Sequence, residues 1–366
     1  VILEPTLKLT PHMQRGFCRR RQASLNVVDL DAFMRAFNVI GPALQIFQGS
    51  FSNLEDIPCT CLYDFCNAFP TLLHEWLFLL LSAIRLPLKL LQIFKWLYTE
   101  ISASSSGVGD GSWLFAVLCG VKTGCPSSSL LFLLGVNPVI DLFLMCCDGP
   151  QLSATRVCAD DIGSALRRLE TLKKHASIFK VVDKVCGLKL KPVKCVLTFP
   201  ASDLTAEFVA AVREWLRVNG PAFAHFDIAC SGKYLGWHLG RAGDTLSFTD
   251  PFLKFQKRVI DIHEAQAPVT TSILRYNARA VMVLSYVAQF GPPPASFSIA
   301  RKESNALHKI CRLPPFSMSY DIAKHLDVFC AVSPICLADY CRAIAFRFAN
   351  SELHHLLWLS RSICDI

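Results

Sequence analysis

The chain has 366 residues, is 52% hydrophobic with a mean hydropathy of +0.37, and carries a formal net charge of +8. That length allows two or three structural units with a sizeable core. The apolar runs are broken by Arg85, Pro87, Lys89 and Lys95 in 77–98, and by serines, prolines, glycines and an asparagine in 123–140. A membrane helix needs about 20 mostly apolar residues, so a soluble, leucine-rich core is expected instead.

Taken in order, residues 1–58 contain QRGFCRRRQ at 14–22, with four arginines in nine residues, placed either to bind phosphate or to solvate a turn. No hydrophobic region of a secretory signal is visible. Val27, Leu30, Phe33, Phe37 and Ile40 then recur at helical spacing, predicting an amphipathic helix that ends near Gly41-Pro42. CTCLYDF at 59–65 reads as a buried strand delivering Asp64 near its end. Thr71 is a candidate N-cap for a helix from Leu72 to about Ile84, and Pro87 suits the first turn of a second helix reaching Tyr98.

SSSGVGDGS at 104–112 lacks the Gly-Lys-Ser/Thr ending of a phosphate loop and reads as a hairpin turn. A strand at 113–118 follows. Gly124, Pro126 and Ser127–Ser129 then turn the chain into an apolar helix through about Leu144. The next strand carries Val157, and VCADDIG at 157–163 sets two adjacent carboxylates, Asp160 and Asp161, in an apolar run. Such a pair is costly unless a cation lies between its members, and carboxylate oxygens are what Mg²⁺ prefers. Alternatively the pair only opens the following helix, which is expected from Ser164 with Leu169, Leu172, Phe179 and Val182 on one face and Gly187 closing it. Strands are expected within 187–199 and at 232–239, and from Pro251 onward the pattern becomes helical and basic.

Seventeen cysteines without a Cys-x-x-Cys pair suit buried thiols in a reducing, intracellular compartment rather than zinc sites. Positive charge is concentrated in 162–200, with nine Lys/Arg against two Asp/Glu, and in 253–313, with nine against three. Concentrations of this kind suit a polyanionic partner or, equally, two solvated helical faces.

Six segments in this order resemble a reverse transcriptase of the non-LTR, LINE-type retrotransposon class. LYDFCNAFPTLLHEWL is similar to that family's first catalytic-aspartate segment, and GVKTGCPSSSLLF to its Gly-Val-Arg-Gln-Gly-Cys-Pro-Leu-Ser-Pro segment. VCADD stands where the family has Tyr-Ala-Asp-Asp, GLKLKPVKC and KYLG resemble the two later palm segments, and QRGFCRRRQ resembles the Gln-x-Gly-Phe segment before the palm. The likeness covers residues 14–240 and weakens through 285–294.

The resemblance implies an α+β right-hand polymerase. Residues 1–58 would form partial fingers or a pre-palm segment, 59–247 a palm with a small antiparallel sheet and packed helices, and 248–366 a helical thumb. It implies catalysis by Asp64, Asp160 and Asp161, with Asp64, Phe65, Asp160 and Asp161 around two Mg²⁺ ions, or Mn²⁺ in their place. Phe69, Thr123, Gly124 and Lys194 would bind the nucleotide, with Phe69 blocking a ribose 2′-hydroxyl, and Tyr234, Leu235 and Gly236 would grip the primer. Lys254, Lys257, Arg258, Arg275 and Arg279 would contact the nucleic-acid backbone. The partners implied are an RNA template, a DNA primer and dNTPs, with no membrane. Thr123 replaces the family's glutamine, Ser129 its proline and Cys158 its aromatic residue. The upstream fingers strands with their Lys and Arg are not visible, nor is an endonuclease or RNase H segment. The reading beside an active enzyme is therefore a truncated remnant that binds nucleic acid without polymerising.

Overall fold

A computed structural model describes residues 10–40, 54–99, 101–104, 113–122, 124–147, 153–200, 202–314, 317–323 and 325–364. The chain divides into two compact units, one ending at Leu235 and one beginning at Gly236.

The first unit is built on a five-stranded sheet of order β4-β5-β1-β6-β7, comprising β1 (Cys59–Tyr63), β4 (Ser153–Cys158), β5 (Asp161–Leu166), β6 (Val196–Thr198) and β7 (Asp227–Ala229). A separate ribbon pairs β2 (Ser102–Ser104) with β3 (Trp113–Ala116). The pairings within the five-stranded sheet are antiparallel except β6 with β7, which run parallel. β1 lies at the centre and is buried at every position, which is why CTCLY reads as an unbroken apolar run rather than an alternation.

On one face of the sheet, Tyr63 sits among Phe143, Phe179, Phe223 and Phe226, and its hydroxyl meets His175 Nδ1 at 2.6 Å. Burial lowers the His175 pKa to about 3 and keeps the ring neutral. These aromatics come from helices α4 (Ser128–Cys147) and α5 (Leu172–Cys186) and from the turn at Pro221–Phe226. α4 is long and apolar enough to cross a membrane, yet Leu131, Phe132, Leu133, Val136, Ile140 and Phe143 are wholly enclosed, as in a core helix.

On the other face lies α1 (Ser24–Ile40). Gly163 permits its close approach, because a Cβ there would stand 2.5 Å from Leu30 Cδ1. α1 also brings a buried charge. Asp29 Oδ2 accepts from Arg156 Nε of β4 at 2.5 Å and pairs with Arg15 at 2.9 Å, all three side chains being almost fully enclosed. Arg15 therefore belongs to an interior ion triad. Arg21 likewise donates to the carbonyls of Pro11, Gln14 and Thr10, so these two arginines of QRGFCRRRQ organise the segment itself.

Several expectations change. Ser164 does not start a helix: 161–166 form β5, and helical structure begins with a turn at Leu169–Thr171 before α5. Hydrogen bonds to β1 on one side and β4 on the other hold this apolar stretch extended. Thr71 caps nothing, because it ends a single turn at Ala68–Thr71 and its hydroxyl bonds back to the Asn67 and Ala68 carbonyls. Helix α2 (His74–Ala83) starts after Leu73, whose N–H is taken by the Cys186 carbonyl. α3 (Leu88–Tyr98) does begin after Pro87. The glycine-rich run at 105–112 lies outside the described residues.

Helix α6 (Ala206–Asn219) and strand β8 (Ser231–Tyr234) complete the first unit. In the second unit, β9 (Trp237–Gly240) leads into α7 (Gly243–Glu264), which carries Pro251 inside it rather than at its start. α7 packs against Val269–Arg275, the turns at 276–284 and Ile299–Cys311. Its core holds Phe248, Phe252, Phe255 and Tyr276, and Lys302 lies 4.7 Å from the Phe252 ring and 4.6 Å from that of Phe297.

Because Asp29 is the shared counter-ion of two enclosed guanidinium groups, Asp29→Asn leaves buried positive charge without its partner. Its expected cost is about 3–5 kcal/mol, read as the shift in the midpoint of chemical denaturation. Glu214→Gln, which breaks the exposed pair with Arg217, should leave that midpoint nearly unchanged.

Candidate active site

β1 and β5 run antiparallel with Tyr63 opposite Ile162. One step further along each strand, Asp64 leaves β1 where Asp161 opens β5. Asp160 lies in the two-residue turn Ala159–Asp160, between Cys158 and its partner Asp161. The turn is tight because Ala159 takes a left-handed conformation, φ +58°. The sheet register therefore brings the three aspartates to one strand end.

They feel one another. Removal from water, then the neighbouring charges of Asp160 and Asp64, push the Asp161 carboxyl up to about 6. Asp160 is raised for the same reasons, first by burial and then by the charge of Asp64. Among the described residues, no basic side chain pairs with Asp160 or Asp161. Asp64 is met at 3.6 Å by Nζ of Lys194, which the turn Pro192–Lys194 carries. That turn is placed by the backbone, since Lys191 N–H donates to the Asp64 carbonyl and Cys66 N–H to that of Lys189. Phe65 is a core side chain, edge-on to Phe179, so only its main chain is available to a ligand.

Phe69 stacks on Phe132 with ring centres 4.1 Å apart and stands edge-on to Phe17. Its carbonyl accepts from Val121 N–H, and Leu72 O accepts from Gly120 N–H, which ties the segment around Gly124 to the turn after Asp64. His74 Nε2 reaches Gly120 O at 2.8 Å, and Trp76 Nε1 donates to Gly135 O at 2.9 Å, locking α2 onto the same loop and α4. Gly124 has φ +86°, and among the described residues beyond its chain neighbours nothing stands within 4 Å of where a Cβ would lie, whereas Thr123 lies outside the described residues.

Tyr234 turns inward. Its buried hydroxyl donates to the carbonyls of Arg156 at 3.2 Å and Asp161 at 3.3 Å, beneath the aspartate hairpin. Leu235 and Gly236 both have positive φ, 47° and 83°, and form the turn at which the two units divide. In the second unit Arg258, Arg275 and Arg279 line a cavity of about 230 Å³ with Asp261, and Arg258 donates to the Arg279 carbonyl. Lys254 and Lys257 are exposed on α7 outside that cavity.

The hairpin rests on supports that no motif announces. Asn26 on α1 donates to Val157 O at 2.8 Å and to Tyr234 Oη at 3.4 Å, and accepts from Arg15 at 3.0 Å. The available signal was polar Asn26 and Asp29 lying three apart on the apolar stripe of α1, and Arg156 inside an apolar strand.

Residues 6–239 match the model of the reverse transcriptase (RNA-dependent DNA polymerase) family. The chain belongs to this family. The α+β architecture around its sheet is that of a reverse-transcriptase-like polymerase. Among solved structures, the chain is similar to telomerase from Candida albicans in complex with a TWJ fragment of telomeric RNA. The identity is 9%, the TM-score 0.43, and coverage 93% of this chain and 54% of that one. It is also similar to apo telomerase from Candida tropicalis, with 12% identity, a TM-score of 0.41 and coverage of 92% and 56%. The chain thus spans about half the length of those proteins. No curated protein matches it.

Reverse transcriptases generally use divalent metals. Among the described residues, no three Asp, Glu, His or Cys side chains stand close enough to form a finished metal cage. The chemistry of the donors nevertheless fits a hard cation, since they are oxygen ligands, partly desolvated and mutually repelling.

A raised carboxyl pKa favours the protonated native state, so its contribution to stability is present below about pH 4 and is lost as pH rises through 6. Asp161→Asn removes that loss. Its melting temperature in metal-free buffer should exceed wild type by a few degrees at pH 8, and the gain should shrink to nothing as pH falls through 6 towards 4.

Proposed function

We propose that this chain is the polymerase part of a retroelement reverse transcriptase of the non-LTR type, extending a DNA primer on an RNA template from dNTPs. The observation that carries this reading is the meeting of Asp64 with Asp160–Asp161 at one strand end, in a chain with the family's motifs in order. Asp64, Asp160, Asp161 and the Phe65 carbonyl would hold two Mg²⁺ ions. Those ions would supply the charge neutralisation that lowers the pKa of a primer 3′-hydroxyl and stabilises leaving pyrophosphate.

The remaining work falls to the chain's own groups. Lys194, already paired with Asp64, restrains that carboxylate and offers a cation to a triphosphate. Phe69, braced by Phe132, gives a rigid aromatic wall suited to excluding a 2′-hydroxyl. Open space among the described residues beside Gly124 lets a nucleotide or template strand approach the backbone. The turn at Tyr234–Gly236 is the proposed primer grip, and the division into 1–58, 59–247 and 248–366 follows the same analogy. Lys254, Lys257, Arg258, Arg275 and Arg279 supply positive charge for phosphates.

Primer extension by the purified chain on an RNA template tests this directly. Wild type should incorporate dNTPs only with Mg²⁺ or Mn²⁺, and Asp160→Asn should be slower by roughly a thousandfold, the ions' stabilisation of transition-state charge being worth several kcal/mol. Equal rates in the two proteins would overturn the site. Binding of the template–primer duplex should weaken with salt at a logarithmic slope of roughly −0.9 per phosphate neutralised on B-form DNA. Replacing Lys254 and Lys257 by Gln should flatten that slope. A wild type that binds duplex but never extends it would favour the non-catalytic remnant.

A further inference from the structure

The segment Met13–Gly16 runs beside the outer edge of β4. Met13 O accepts from Val157 N–H at 3.1 Å, and Arg15 N–H donates to Val157 O at 2.9 Å. From this position the fully buried Gln14 side chain reaches past the end of the strand to the peptide groups of Ala159. Its Oε1 accepts from Ala159 N–H at 2.8 Å and from Gly16 N–H at 2.8 Å, and its Nε2 donates to Ala159 O at 3.3 Å. One carboxamide thus pairs both backbone polar groups of the residue immediately before Asp160.

Ala159 needs such a hold. Its left-handed backbone is disfavoured for a residue with a Cβ, and without partners the turn would relax towards commoner conformations. Two carboxylates that repel each other press in the same direction. Gly16 keeps the clamp close, since a Cβ there would lie 2.3 Å from Ala159 N, a backbone atom with little room to move.

We propose that Gln14 is a positioning residue for the reaction. By fixing the left-handed turn at Ala159, it sets the direction in which Asp160 and Asp161 present their carboxylates to metal. This deepens the polymerase reading and rests on it. A glutamine that merely fills hydrogen bonds would lower stability everywhere alike. A positioning glutamine acts on the turn and on metal affinity.

The test uses the full chain and compares wild type with Gln14→Met, of similar length but unable to pair, and with Gln14→Glu, which keeps the acceptor. Residue-resolved hydrogen–deuterium exchange without template should show the Ala159 amide exchanging about tenfold faster in Gln14→Met, the scale of one lost hydrogen bond. The strand amides of Thr155 and Gly163 should stay near wild type, and Gln14→Glu should recover Ala159 protection. In MgCl₂ titrations followed by melting temperature, the half-effective concentration for Gln14→Met should rise several-fold. In primer extension its kcat should fall about tenfold, equivalent to about 1.4 kcal/mol, with nucleotide KM little changed.

Unchanged Ala159 exchange, acceleration spread evenly over β4 and β5, or an unaltered Mg²⁺ midpoint would each overturn the proposal, as would full kcat with a loosened turn. An inert wild type counts against the polymerase reading alone, and the exchange and Mg²⁺ measurements still decide the role of Gln14.

Discussion

The antiparallel register between β1 and β5 is the constraint from which the rest follows. It fixes Asp64 against Asp161 and sets Asp160 in the adjoining turn, so like charges share a partly dry space before any ligand arrives. Left to electrostatics, that strand end would splay. What opposes splaying is an unusually polar underside for a protein interior. Tyr234 bonds to the carbonyls of Arg156 and Asp161, Asn26 bonds to Val157, and Arg156 is bound to Asp29. Partners on that underside come from α1, the 13–16 segment and Tyr234, and the Asp29 carboxylate is shared by two guanidinium groups.

Much of this was legible in the residues. CTCLYDF could be read as a buried strand because burial on both faces leaves no polar alternation. α1 and α5 followed from helical spacing and α3 from Pro87, and Gly187 closes α5 in the left-handed conformation expected of it. The misreadings share one cause, namely that tertiary partners outvoted local pattern. Residues 162–166 are short and apolar, so periodicity cannot tell a buried strand from the start of a helix, and the decision came from β1 and β4. Thr71 had the chemistry of a cap, but the Cys186 carbonyl took the N–H at which α2 begins. Pro251 looked like a boundary and is an interior residue of α7.

The candidate site was legible in type and incomplete in architecture. Aspartates next to apolar strands announce themselves, because nothing else in such a run needs a charge. The residues that hold them are quieter. Gln14, Asn26 and Asp29 are single polar side chains scattered over an arginine-rich turn and an amphipathic helix, and each acts on a partner more than a hundred residues away. Arg15 shows the same limit from the other side, since four arginines in nine residues suggest a phosphate surface while this one is sequestered in an ion triad.

The order of the sheet also governs how the chain comes to be folded. β1 is made before both of its neighbours, which are encoded much later, Thr60 being joined to Thr198 across 138 residues. Until β5 and β6 have emerged from the ribosome, an apolar strand with two open edges has nothing of its own to pair with. Long-range pairings of this kind slow folding and leave nascent chains open to wrong partners. A polypeptide halted near residue 150 would therefore present Cys59–Tyr63 as an unprotected template for aggregation. Production of this protein in cells should depend on chaperone capacity during synthesis more than on the stability of the finished fold.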